Sequence, residues 1–157
     1  MMSSPDVTPQ GEPRLFFPAL QGFYARMIPL SWPILRVGVG LILAVHGYGK
    51  IGRTAGPAQL LAKMPEAAVV GAELTFVLMV TEFIGGLCIA AGLATRFFAA
   101  AAAIEMAVLT FYIYWGNGFG WLSRGYEYVL LWGLMLFAIA LRGGGPWSLD
   151  RAIGKEL

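Results

Sequence analysis

Charge is scarce in this chain. Only 13% of its 157 residues are Asp, Glu, Lys or Arg, roughly half the share of a soluble domain, while 58% are hydrophobic and mean hydropathy is +0.69. With so little polar surface to offer water, the chain must use lipid as its solvent. There is no basic run and the formal net charge is only +2, which excludes a nucleic-acid partner. Cys88 is the single cysteine and His46 the single histidine. An intrachain disulfide, a dedicated zinc site, an iron–sulfur cluster and a bis-histidine haem are therefore excluded within one chain. Cys88, in an apolar run, reads as a small packing residue. Any redox role has to rely on a ligand that is neither metal-bound nor covalently attached, or belong to a partner. A basic segment leading directly into an apolar core is also missing from the start of the sequence, so a cleaved signal peptide is not expected.

What is present is long apolar runs. Four reach the length of about 20 residues that spans hydrocarbon, or come near it: Leu30–Gly49, Ala72–Leu93, Phe97–Trp115 and Tyr126–Leu141. The sequence thus predicts an all-α integral membrane four-helix bundle. Residues 1–29 form a polar tail and an interfacial lead-in, disordered over the first ten residues; 30–142 hold the four crossings; 143–157 form a short C-terminal tail. Between the first two crossings, Ala58–Met64 is too short to span and reads as a surface helix. The link Ala94-Thr95-Arg96 is so tight that the second and third helices must be antiparallel neighbours. After Gly143-Gly144-Gly145-Pro146 ends the fourth helix, Ser148 can cap a terminal one with Arg151 and Lys155 exposed. Arg14, Arg26, Arg96, Arg142, Arg151 and Lys155 fall on the side of the termini, and Lys50, Arg53, Lys63 and Arg124 on the other. Positive-inside counting then puts both termini in the cytoplasm.

The stretch Leu35–Lys50 is the most informative. Arg36, His46 and Lys50 lie on one side of this helix together with Gly40 and Gly47. A charge in hydrocarbon costs on the order of 3 kcal/mol or more, so this stripe must face neighbouring helices. Four glutamates, Glu73, Glu82, Glu105 and Glu127, fall in the other crossings. Counting about 1.5 Å per residue from the side of the termini, Arg36 lies roughly 8 Å deep and Glu105 about 12 Å, with Glu82 at about 18 Å and His46 at about 22 Å. Matching depths predict that Arg36 pairs with Glu105, and that His46, Lys50 or both pair with Glu82. Glu73 and Glu127 lie close enough to the interface to snorkel. Gly85, Gly86 and Gly92 supply close-packing surfaces, which also permit self-association into a homo-oligomer.

Arg36, His46, Lys50, Glu82, Glu105 and Glu127 are therefore the candidate ligand or proton-path residues. The loop Gly116–Gly125 is flanked and filled by aromatics, Tyr112, Tyr114, Trp115, Phe119, Trp121, Tyr126 and Tyr128, which serve either as a headgroup belt or as a stacking wall; Tyr112, Trp115 and Trp121 are the candidates for a quinone slot. A quinone needs an apolar slot, hydrogen-bond donors for its carbonyls and a group that handles protons, and these residues can supply all three.

HGYGK (His46–Lys50), EFIGGLCIAAGLATR (Glu82–Arg96), Glu105, Gly125-Tyr126-Glu127 and GGGPWSLDR (Gly143–Arg151) together resemble the DoxX family of small four-helix bacterial membrane proteins, over about residues 34–151. The resemblance implies a protein of the bacterial inner membrane linked to redox metabolism. Some relatives resemble the membrane subunit of a thiosulfate:quinone oxidoreductase, and others resemble anchors in complexes that handle thiols and oxidative stress. It further implies that the family's polar positions fall on Arg36, His46, Lys50, Glu82, Glu105 and Glu127, and its closing pattern on Gly145, Pro146, Ser148 and Asp150. The leading expectation is a quinone-interacting subunit, with lipid, quinone and a soluble or membrane oxidoreductase subunit as partners. The alternatives are a scaffold that anchors a soluble redox or stress enzyme and a small proton-coupled transporter.

Overall fold

The computed structural model describes residues 15–51 and 71–156. The expected disorder of the first ten residues and the surface helix Ala58–Met64 lie outside the described residues. The fold is all-α, with no strand among the described residues. Four long helices follow one another: α1 (Gln21–Ile51), α2 (Ala72–Ala91), α3 (Thr95–Val108) and α4 (Glu127–Arg142), with a short α5 (Leu149–Ile153) in the tail. A turn of 3₁₀ helix, Pro18–Leu20, leads into α1, and α3 continues through a π-helical turn, Leu109–Tyr114, to Asn117. Two stretches, Pro18–Lys50 and Thr95–Asn117, are long and apolar enough to cross a bilayer; the apolar part of α2, Phe76–Ala91, is shorter. Large apolar side chains such as Ile34, Val45, Ile104, Leu134 and Leu141 point outward, as expected of a surface solvated by lipid.

Helix α1 begins nine residues earlier than the apolar run suggests. Pro29 and Pro33 lie inside it without ending it. In the exposed lead-in, carbonyls left free by a proline are open to other donors, so continuing the helix costs less there than in a packed core.

The four helices form two antiparallel pairs, α1 with α2 and α3 with α4, and α1 and α4 meet only sparsely. Glycine explains the first pair. A Cβ on Gly40 would lie 2.5 Å from the Ala90 nitrogen, one on Gly86 2.5 Å from the Ala44 nitrogen, and one on Gly47 2.5 Å from the Phe83 nitrogen. Backbone therefore rests on backbone. That contact drives association where lipid removes the hydrophobic gain of burial. It confirms the glycine side of the α1 stripe as a packing face. The core that joins the pairs consists of Trp32, Val39, Leu43, Ile89, Ala99, Ala102, Met106, Leu109, Trp132, Leu136 and Ile139.

Candidate functional site

The polar side chains gather at the two ends of this bundle. At the tail end, Arg36 is buried and its guanidinium donates to the carbonyls of Ile89 (3.2 Å) and Trp147 (3.0 Å). Its counter-charge is Asp150, from the C-terminal tail. The Asp150 carboxylate accepts from the Ala94 amide (2.7 Å), the Thr95 amide (2.9 Å) and the Thr95 hydroxyl (2.7 Å), capping α3 from a distant part of the chain. Burial pushes the Asp150 carboxyl up, but the Thr95 hydroxyl, the Thr95 and Ala94 amides and the Arg36 charge outweigh it, so the group ionises below the usual carboxylate range. Gly92 ends α2 in the left-handed region (φ +74°), and a Cβ there would overlap Arg36 Nη1. Trp32 Nε1 donates to the Gly143 carbonyl at 3.1 Å, and the Arg142 guanidinium lies 4.3 Å from the Trp32 ring centre. Glu156 accepts from Arg96 Nε (3.0 Å) and the Gly144 amide (2.7 Å). As expected, Ser148 caps α5, accepting from the Arg151 amide at 3.2 Å, and Arg151 and Lys155 are exposed.

The other end is open. A cavity of about 840 Å³ lies between the two helix pairs, within the range that suits small-molecule sites. Its walls include His46 and Lys50 from α1, Glu82 from α2, Leu109 and Tyr114 from the end of α3, Trp121 and Arg124 from the following loop, and Tyr128 and Trp132 from α4. Lys50 Nζ lies 2.8 Å from Glu82 Oε1, and the Glu82 side chain is fully buried. Its other oxygen, Oε2, has no hydrogen-bond partner among the described residues. The imidazole of His46 is exposed on the cavity side and has no hydrogen bond among the described residues.

Local structure sets these side chains. The π turn groups residues five apart, so Leu109 and Tyr114 face the cavity together. Thr110 Oγ1 bonds back to the Met106 carbonyl at 2.7 Å where that turn begins. The loop folds over the opening through Tyr126 N to Gly118 O (3.1 Å), Glu127 N to Phe119 O (3.0 Å) and Asn117 Nδ2 to Arg124 O (3.0 Å). Arg124 sits in the left-handed region (φ +60°), a conformation that costs a residue with a Cβ about 1–2 kcal/mol.

The DoxX family model matches residues 31–115, which is 85 of the 157 residues and so more than half of the chain. The chain belongs to the DoxX family. No curated protein and no solved structure matches it. The matched region carries the α1, α2 and α3 walls of the cavity, while the loop and α4 walls lie beyond it.

In this DoxX protein the depth argument held for one pair and failed for the other. Lys50 pairs with Glu82; His46 does not, and faces the cavity instead. Arg36 makes no salt bridge with Glu105, which is buried on α3. The expectation considered only residues inside the crossings as partners, whereas the folded-back tail delivers Asp150 to Arg36. Glu127 is not in the cavity wall: its Oε2 accepts from the Trp121 amide at 3.2 Å and so holds the loop. Of the three aromatics expected to form the slot, only Trp121 lines it. Tyr112 points outward (77% exposed) and Trp115 stacks on Tyr126 at 4.5 Å, because the π turn rotates Tyr114 inward in their place. Tyr114 and Tyr128 stood among the loop aromatics but were not chosen for the slot; Arg124 and Trp132 were missed. The spacing of Tyr128 and Trp132, one turn apart, was a usable signal; the π turn and the left-handed Arg124 left none.

Proposed function

We propose that this DoxX protein is a quinone-interacting membrane subunit of an oxidoreductase, passing electrons from a thiosulfate- or thiol-linked donor partner to the quinone pool. The observation that carries the reading is the cavity between the helix pairs. His46, which has no hydrogen bond among the described residues, a Lys–Glu ion pair, Arg124 and four aromatic side chains share the wall with apolar residues. The residues fit a quinone head. His46 and Lys50 can donate hydrogen bonds to ring oxygens, and Glu82, with one buried oxygen lacking a partner, can hold or pass a proton beside them. Tyr114, Trp121, Tyr128 and Trp132 offer ring faces. The quinone supplies two-electron redox chemistry when bound; the chain's own residues bind, orient and manage protons. The same reading sets the protein in a bacterial inner membrane with both termini in the cytoplasm.

The test is titration of the purified full-length protein in lipid nanodiscs with a short-chain ubiquinone, read by quenching of tryptophan fluorescence and by melting temperature. Saturable quenching is expected, together with a rise in melting temperature. Affinity should fall about tenfold or more in His46→Ala, the loss of one buried hydrogen bond to the ligand. No quenching and no shift in melting temperature would overturn the reading.

A further inference from the structure

We infer that Arg124 makes the cavity selective for a ring ligand whose head carries an anionic oxygen, such as an acidic quinone ionised at its ring hydroxyl. This rests on the quinone reading above and narrows it. The ionisable groups that face the cavity with a charge to offer are His46, Lys50, Glu82 and Arg124. Lys50 and Glu82 neutralise each other at 2.8 Å. Arg124 makes no salt bridge and no side-chain hydrogen bond among the described residues. The acid nearest to it in sequence, Glu127, is turned to the Trp121 amide. Among the described residues in the cavity wall, Arg124 is therefore the permanent cation left beyond the Lys50–Glu82 pair.

The backbone around Arg124 strengthens the assignment. Left-handed geometry is the natural place for glycine or asparagine, yet an arginine occupies it. Three bonds hold it there: Arg124 N to Trp121 O (3.0 Å), Asn117 Nδ2 to Arg124 O (3.0 Å), and the following Gly125 N to Gly120 O (3.0 Å). A Cβ on Gly125 would overlap the Gly118 carbonyl, so the turn has no slack to relax. The strained residue belongs to the same wall as Trp121 and Tyr128. A guanidinium in a wall that also holds aromatic rings suits a ring ligand that carries an oxyanion, because the fork can make two charge-assisted hydrogen bonds while the ring stacks.

The test compares two probes on full-length protein in zwitterionic nanodiscs at neutral pH, read by tryptophan quenching. One is the hydroxynaphthoquinone lawsone, which is ionised there, and the other is its neutral methyl ether. In Arg124→Gln the ratio of lawsone affinity to ether affinity should fall about tenfold, the loss of a hydrogen-bonded charge pair, with ether affinity unchanged. Arg124→Gly relieves the left-handed strain, so it should lose the same preference with melting temperature unchanged or raised. Arg124→Lys keeps the charge and should keep part of the preference. An unaltered ratio in Arg124→Gly overturns the inference and leaves the quinone reading standing; that is the outcome expected if Arg124 only meets lipid phosphate. Failure of both probes to bind overturns the two together.

Discussion

At the tail end of the bundle, Asp150 is buried with three hydrogen bonds from Ala94 and Thr95, and buried Arg36 donates to two backbone carbonyls, its Nε having no partner among the described residues. At the cavity end, Lys50 and Glu82 make one 2.8 Å contact, a carboxylate oxygen is left over, and an imidazole faces open space. Both ends carry opposite charges on neighbouring helices of one membrane protein. The difference is what surrounds them: the tail-end charges are packed against backbone, whereas the cavity-end groups border open space. Charges packed against the backbone of distant segments specify structure, because their bonds hold those segments together. Polar groups that border a cavity leave room for something else to bind. The physical origin of the contrast is the tail, which folds back to fill one end, while sparse contact between α1 and α4 leaves the other end hollow.

The comparison breaks if the two ends respond alike to losing a carboxylate. Asp150→Ala should have the largest effect, about 3–5 kcal/mol of stability, because it strands the Arg36 charge and uncaps α3; thermal unfolding in detergent and membrane accumulation both read it. Gly92→Ala should follow at about 2–4 kcal/mol, since it combines a disfavoured φ with an overlap on Arg36. Glu82→Gln should cost less, about 1–2 kcal/mol, because Lys50 is partly exposed to the cavity and can move its ammonium away, yet it should weaken short-chain ubiquinone binding about tenfold. If Glu82→Gln destabilises as much as Asp150→Ala and leaves binding untouched, the cavity end is a structural knot as well.

Acid sharpens the same contrast. The Asp150 carboxyl ionises at lower pH in the folded protein than in the unfolded chain. Its stabilising contribution is therefore fully present at neutral pH and down to the unfolded value of about 4, and is lost as pH falls further through the folded value. Unfolding of the wild type against pH should show that loss, and Asp150→Asn should not. The smallest effect belongs to Tyr112→Ala: an outward ring that touches neither end should change stability by less than about 0.5 kcal/mol and leave ubiquinone binding as it was.

Much of the fold was legible because lipid imposes simple rules. Scarce charge and long apolar runs identified a membrane helix bundle, and the Gly40/Gly47 stripe was correctly read as a packing face. Helix direction and rise gave Glu82 a cationic partner on α1 but left His46 and Lys50 both open; packing of the adjacent helices selects Lys50. Other features were hidden for identifiable reasons. The inward turn of Tyr114 depends on a π turn, for which the sequence pattern carries no mark. The loop geometry that aims Arg124 depends on hydrogen bonds between residues that are each unremarkable in sequence.

By itself, the sequence determined the solvent of this protein, its helices and the charged residues that had to turn inward, because burying backbone and charge in hydrocarbon leaves few alternatives. Only the tertiary structure decided which charges meet. Asp150 reaches Arg36 across 114 positions of chain (150 − 36) through a turn of glycines and a short helix. Spacing along single helices cannot encode such a contact, because it depends on where the chain returns.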